Sequence, residues 1–371
     1  MNIQAIELRL VHLPLRAPFR SPLGSEAARD AIVVRVGSDR GEGWGECVAG
    51  ADPLYSSEYV DSAWLTMRRY LAPKLLATAD LSATDVPRLL GEVKGHRMAK
   101  AALEMGVLDA QLQLLGVSFA EFLGGVRDTV APGVVVGITS SLAELLDTVA
   151  EHVHQGYARV KLKIEPGWDL VPVAAVRERF GSDLRLQVDA NCSYERADME
   201  LLARLEEFSL ALIEQPFGSD DLLSHAELAR RIATPVCLDE SIVSAKSAAN
   251  AIALGACSVV NIKPGRVGGY LEARAVHDLC QSMDVPVWCG GMLETGLGRA
   301  ANLALASLPG FTLPGDISAT DRYFDEDITA PFVLQDGTIA VPRAPGLGVE
   351  VRHDVLDAHT NRLEAITVDA S

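Results

Sequence analysis

Five charged residues recur along the middle of this chain at a nearly constant interval. Lys163, Asp189, Glu214, Asp239 and Lys263 stand 26, 25, 25 and 24 positions apart. Each sits at the end of a short apolar run: "ARVKLKI", "LRLQVDA", "LALIEQP", "PVCLDES" and "SVVNIKP". Any one alone reads as a helix N-cap or a loop charge after a strand. Five in register place a charged group at the same height in successive βα units. Three carboxylates then converge between two lysines, and carboxylates gathered at one point repel. A hard divalent cation relieves that repulsion. Oxygen donors with no Cys/His cluster beside them suit Mg²⁺ or Mn²⁺ better than Zn²⁺. Cys192 and Cys237 lie nearby in sequence, but Asp189 and Asp239 already occupy the strand ends.

The lysines carry the second half of the chemistry. "ARVKLKI" alternates, so Lys161 and Lys163 share one face of a strand. The strand alone leaves two readings open, a solvated edge or an interior. The register with the three carboxylates selects the interior. Asn261 shares a face with Lys263 in the same way. A lysine that is partly desolvated beside a cation is expected to have a lowered pKa and to act as a general base near neutral pH. A base on each side of a metal-held substrate suits removal of a proton α to a carboxylate. The metal stabilises the enediolate, and a proton can return from either face.

Positioning these groups is the task of the surrounding elements. Residues 1–50 read as strands and turns, with Ser-Asp-Arg-Gly at 38–41 as a hairpin turn. The polar stretch "PFRSPLGSEAARD" (18–30) reads as a flexible loop by composition. From about Ser56 to Leu123 the period becomes helical. Met98, Ala102, Met105, Leu108 and Leu112 form the core stripe of a helix in a small α+β unit. From about Val130, short apolar strands alternate with helical segments: "APGVVVGI", the five runs above, "VPVWCGG" and "FTLPGD". Repeated βα units imply a parallel sheet. Eight of them imply a closed (β/α)8 barrel with all strand C-termini at one mouth, although counting leaves an open doubly wound sheet standing.

Composition narrows the function classes. The net charge is -17, and no Lys/Arg run supplies the basic patch a nucleic-acid binder needs. Charges interrupt the apolar residues of the N-terminus, so no signal peptide is expected. No stretch approaches the roughly 18 apolar residues of a membrane span. Six cysteines without a CxxC pair read as free thiols in a reducing cytoplasm. Gly296-x-Gly298-x-x-Ala301 is a loose dinucleotide match, better taken as the βα loop after strand seven, where backbone N–H groups can meet a substrate anion. "KPGRVGG" lacks the ending of a P-loop. His152 and His154 are expected on a solvated helix.

The motifs "VKLKI", "VDAN", "LIEQP", "CLDES" and "NIKPGRVGG", in this order, resemble the enolase superfamily in its muconate-lactonizing subgroup. "PLYSSEY", "GHRMAKAALEM", "KLKIEPGWD", "PVWCGGMLETGLGRAANLALASLPGFTLPGD" and "PGLGV" narrow the resemblance to the N-acylamino acid racemase / o-succinylbenzoate synthase family, over nearly the whole chain. The resemblance implies a (β/α)8-type barrel over residues 126–320, an α+β cap over 1–125, and a tail over 321–371 that completes both. It implies a Mg²⁺, Mn²⁺ or Co²⁺ ion on Asp189, Glu214 and Asp239, with Lys163 and Lys263 as the acid/base pair. Lys161 would face the substrate carboxylate, Asn191 and Asn261 would support the site, and Arg266 would stand behind Lys263. Gly291 and Met292 belong to the substrate-binding set. Phe19, Tyr55, Val135, Leu293 and Tyr323 are pocket candidates. The loop of residues 18–30 and "AGADPLYSSEY" would close over the substrate. The activities implied are dehydration to o-succinylbenzoate in menaquinone synthesis, racemisation of N-acyl amino acids, or both. A dipeptide epimerase or a cycloisomerase is the alternative, but Asp316 and Asp321 do not make the Asp-x-Asp motif of the epimerases. The expected partners are a small-molecule carboxylate and further copies of the chain in a homo-oligomer, with no nucleic acid and no membrane.

Overall fold

The computed structural model describes residues 1–367. Residues 368–371, the end of the expected 321–371 segment, lie outside the described residues. The chain opens with β1 (Ile3–Ser21), β2 (Gly24–Ser38) and β3 (Glu42–Cys47). With β13 (Thr360–Thr367) they form an antiparallel sheet in the order β13-β1-β2-β3. β2 is rich in β-branched residues because both its faces are covered: Ala31 through Val34 are all buried. The Ser38–Gly41 turn forms as expected, with Ser38 N donating to Gly41 O at 2.8 Å.

The stretch 18–30 is not a loop. Phe19, Arg20 and Ser21 pair with Glu26, Ser25 and Gly24, so β1 and β2 run on as a long hairpin turning at Pro22 and Leu23. Pairing lapses between Pro14 and Phe19, where Pro14 and Pro18 have no N–H to donate. Composition misled because most side chains of this tip are partly or fully exposed, so they stay polar while the backbone is paired.

The helix Arg97–Leu115 buries the expected stripe, and its other sides as well, including Ala101, Leu103, Glu104 and Asp109. It crosses β3 so closely that a Cβ on Gly45 would stand 2.0 Å from Ala102 O. A Cβ on Gly43 would likewise stand 2.2 Å from Ala110 N, so this crossing accounts for both glycines of β3.

A small pair, β4 (Thr129–Val130) with β12 (Ile339–Ala340), precedes the main sheet. Seven parallel strands follow: β5 (Val134–Val136), β6 (Val160–Lys163), β7 (Leu186–Asp189), β8 (Ile213–Glu214), β9 (Val236–Leu238), β10 (Val259–Ile262) and β11 (Val287–Cys289). They are hydrogen-bonded in sequence order, and every residue in them is buried, which is why they read as continuous apolar runs. The helices that start at Leu142, Leu222 and Ala245 are capped by Ser141, Asp221 and Ser244, each accepting from an N–H three residues on.

"FTLPGD" does not form an eighth strand. Phe311 makes a single bridge to Val287, and Pro314 removes a donor from the ladder. Asp316 N still donates to Cys289 O at 2.8 Å, and Gly133 N donates to Gly315 O at 2.7 Å. The segment therefore touches both edges of a curled seven-stranded sheet. A second correction concerns His152, which is buried against the edge of the Tyr157 ring rather than solvated; His154 is exposed. All six cysteines are free. No described helix is long and apolar enough to cross a membrane.

Candidate active site

The strand register carries the charged ends together. Lys163 lies opposite Asp189, and Asp189 opposite Glu214. Asp239 and Lys263 follow β9 and β10 by one residue. Lys161 Nζ sits 2.9 Å from both Asp189 Oδ2 and Glu214 Oε2, and it also pairs with Asp316. Lys163 Nζ donates to Asp189 Oδ2 at 2.7 Å and to Asn191 Oδ1. Lys263 Nζ stands 2.8 Å from Asp239 Oδ2 and 3.3 Å from the Tyr55 hydroxyl. Tyr55 in turn donates to Asp239 Oδ1 at 3.0 Å. Asn261 Nδ2 donates to Glu214 Oε1 at 2.7 Å, and Asn191 Nδ2 to Glu240 Oε1 at 2.9 Å. Arg266 is buried, pairs with Asp239 and donates to the Ile242 and Asn261 carbonyls. Gln215, which has a positive φ of 38°, accepts the Asp239 N–H at 2.9 Å and fixes the end of β9.

A cavity of about 320 Å³ opens above this cluster. Lys163, Asn191, Lys263, Gly291, Met292 and Leu293 line it from the sheet, and Phe19 and Tyr55 from the cap. Lys161, Asp189, Glu214, Asp239 and Asn261 lie beneath, at most 2% exposed. Both segments expected to cover the substrate border the cavity: the hairpin tip and residues 50–55. Two pocket candidates stand apart from it. Val135 lies on β5 beside Lys161, its carbonyl accepting from Arg322 at 2.6 Å. Tyr323 packs with Leu13 and Phe324, its hydroxyl accepting from Ser318 at 3.0 Å. Neither side chain reaches the cavity, because each is used in packing beside it.

The protein's own groups shift Lys161 and Lys263 upward. Burial alone would lower Lys161 and Lys263, but surrounding oxygen groups outweigh it and raise both. Around Lys161 these are Asp189, Asp316 and Glu214; around Lys263 they are Tyr55, Glu240 and Glu214. Asp189 is held well below the carboxylate range: burial would raise it, and Lys161 and Lys163 overcome that. Glu214 is pushed up by complete burial and by Asp189. Glu240 rises for the same two reasons.

Sequence comparison extends this picture. Residues 5–124 match the mandelate racemase / muconate lactonizing enzyme N-terminal domain, and residues 144–355 match the enolase C-terminal domain-like family. The chain belongs to the enolase superfamily. It is 60% identical to an N-succinylamino acid racemase from an Amycolatopsis species, over 97% of this chain and 98% of the relative. It is 42% identical to the o-succinylbenzoate synthase of Bacillus subtilis, over 99% of both chains. A superfamily member from Listeria innocua superposes with a TM-score of 0.95 at 39% identity, covering 99% of each chain.

In this enolase-superfamily chain, Asp316 is the site residue that spacing failed to mark. Its Oδ1 is 2.8 Å from Arg159 Nη1, and its Oδ2 pairs with Lys161. The rule that found the others, an acid closing each βα repeat, also points to it at the end of "FTLPGD". Asp321, by contrast, is exposed. The donor set suits a hard cation. Asp189, Glu214 and Asp239 offer only oxygen from successive strands, Asn261 Oδ1 has no hydrogen-bond partner, and Asp239 Oδ2 makes its Lys263 ion pair without an aligned hydrogen bond. Among the described residues no three acidic, His or Cys side chains close tightly enough to ring an ion. The ammonium groups of Lys161 and Lys263 stand among them instead.

Proposed function

We propose that this chain removes the proton α to a carboxylate, acting as an N-succinylamino acid racemase and as an o-succinylbenzoate synthase. One observation carries the reading: two lysines, Lys163 and Lys263, reach one cavity from strands β6 and β10 on either side of three buried carboxylates. Asp189, Glu214 and Asp239 would hold a divalent cation, Mg²⁺ or Mn²⁺ by donor type. That cation supplies the positive charge that acidifies the substrate α-proton. The charge balance supports this assignment. Asp189, Glu214, Asp239, Glu240 and Asp316 are matched by Lys161, Lys163, Lys263, Arg266 and Arg159. A formally neutral cluster that takes up a dication is complemented by a dianionic substrate. Here 1–125 caps a barrel over 126–320, 311–316 stands as its eighth stave, and 321–367 joins both parts.

In racemisation, the unprotonated Nζ of one lysine takes the α-proton, and the C–H electron pair moves into the carboxylate to give an enediolate. The ammonium of the other lysine then returns a proton to the opposite face. Lys161 lies where it can balance carboxylate charge, Asn191 holds Lys163, and Tyr55 and Arg266 hold Asp239 beside Lys263. In dehydration, the proton leaves and the hydroxyl departs as water, which needs one base. Asp316 is engaged by Arg159 and Lys161, so the chain lacks the spare acid pair an epimerase needs for a substrate amine. Lys163→Arg and Lys263→Arg each retain charge without a usable base. Each should abolish racemisation, while in D₂O each still exchanges the α-proton of one enantiomer of an N-succinyl amino acid, a different one for each variant. Racemisation by either variant at the wild-type rate would overturn the two-base reading.

A further inference from the structure

One buried cation in the cavity has no assigned task. Arg29, on β2, is 2% exposed and lines the cavity together with Lys163 and Lys263. Its Nε and Nη2 are buried without a hydrogen-bond partner, and its guanidinium has no ion pair among the described residues. The acids that share the cavity wall do not serve it. Asp30 pairs with His12 at 2.7 Å, and Glu26 and Asp52 are exposed. A buried guanidinium whose donors are left free is costly to keep unless an anion arrives to use them. Its planar fork matches a carboxylate in two parallel hydrogen bonds.

We propose that Arg29 anchors a second carboxylate of the substrate, at the far end of its acyl group. The site thereby selects dicarboxylates in which one acid flanks the reacting carbon and the other caps a short acyl arm. The assignment rests on the proposed activity and adds the residue that reads the acyl terminus. The architecture supports the division of labour. The sheet supplies the lysines that face the α-carbon, whereas Arg29 comes from the cap, opposite Leu13 in the same hairpin that carries Phe19. A cavity of about 320 Å³ is at the small end for ligand pockets, so a substrate held at the lysines extends to the cap wall. No bond forms or breaks at Arg29, which acts as a specificity residue.

The test compares an N-succinyl amino acid with its N-succinamoyl isostere, whose terminal carboxamide has the same size and no charge. The full chain is used in Mg²⁺ buffer, with kcat/KM for racemisation and calorimetric Kd measured for both compounds. The wild type should favour the succinyl compound by about 30-fold, the scale of charged hydrogen bonds. Arg29→Gln should reduce that ratio to near one. Arg29→Lys, which keeps charge without the fork, should fall between them and serves as the variant if Arg29→Gln melts early. A wild-type ratio near one overturns the assignment, as does an equal loss on both compounds with the ratio preserved. If the wild type racemises neither compound, the proposed activity fails, and the calorimetric ratio still decides Arg29.

Discussion

Replacing Asp316 by Asn keeps the shape of a buried side chain and removes its charge. The acid holds two cations, Arg159 at 2.8 Å and Lys161, and both of these also stand over the Trp288 ring, at 5.3 and 5.0 Å. Burial would raise the Asp316 carboxyl, but Lys161 and Arg159 hold it at about 2 against an ordinary 3.8. At about 1.4 kcal/mol per tenfold, that difference corresponds to about 2 kcal/mol of native-state stability. Lys161 keeps Asp189 and Glu214, but leaving Arg159 without its acid adds the cost of an uncompensated buried charge, so the expected loss is about 3–5 kcal/mol. For 371 residues that lowers Tm by roughly 4–6 °C. Because the folded value is depressed, the contribution is fully present above pH 3.8 and is lost as pH falls through about 2. Melting curves of wild type and Asp316→Asn at pH 7 and pH 3 measure this directly. The gap should be wide at pH 7 and narrower at pH 3, and Arg159→Met added to Asp316→Asn should restore part of it. A Tm change below about 2 °C at pH 7 would show that these charges are compensated elsewhere and refute the reasoning.

Metal binding should be visible without turnover: Mg²⁺ at about 100 times its Kd should stabilise the protein by about 2.7 kcal/mol. Glu214→Gln should remove that increment, and a chelator should abolish activity that Mg²⁺ or Mn²⁺ then restores. Glu46, on β3, accepts from Thr295 N and Gly298 N at the start of the helix Gly296–Ala306, and burial pushes its carboxyl up to about 7. A raised acid binds its proton more tightly when folded, so this contact should lose stability as pH rises from 4.5 through 7. Glu46→Gln should flatten the Tm profile across that window; an unchanged profile would place the pH sensitivity elsewhere.

The five in-register charges were legible because a strand end in a repeated βα unit is set by chain length, and the interval survives variation in the helices. Lys161 was legible through alternation together with that register. Asp316 escaped because strand seven ends in Cys289-Gly290-Gly291 without a charge, so the run of charged strand ends stops at Lys263 before "FTLPGD" resumes it. The hairpin tip escaped because composition reports what side chains touch, whereas a two-stranded ladder is satisfied by backbone. Arg29 left no mark in the sequence. Its importance lies in having no partner, and partners across a cap and a sheet are fixed by tertiary contact.

The antiparallel pairing of β1 with β13 sets the order of assembly. Ala5 lies opposite Thr367, 362 positions away, and Leu10 opposite Arg362. The strand that carries Phe19 to the cavity therefore gains its outer neighbour only when residues 360–367 emerge. During synthesis the βα repeats can pair with neighbours made moments earlier, whereas the first strand must wait with one edge open until residues 360–367 follow. The wall that encloses the chemical groups is thus the first part of the chain made and the last to be completed, and removal of residues 360–367 would loosen the clasp on that wall while keeping every lysine and carboxylate below it.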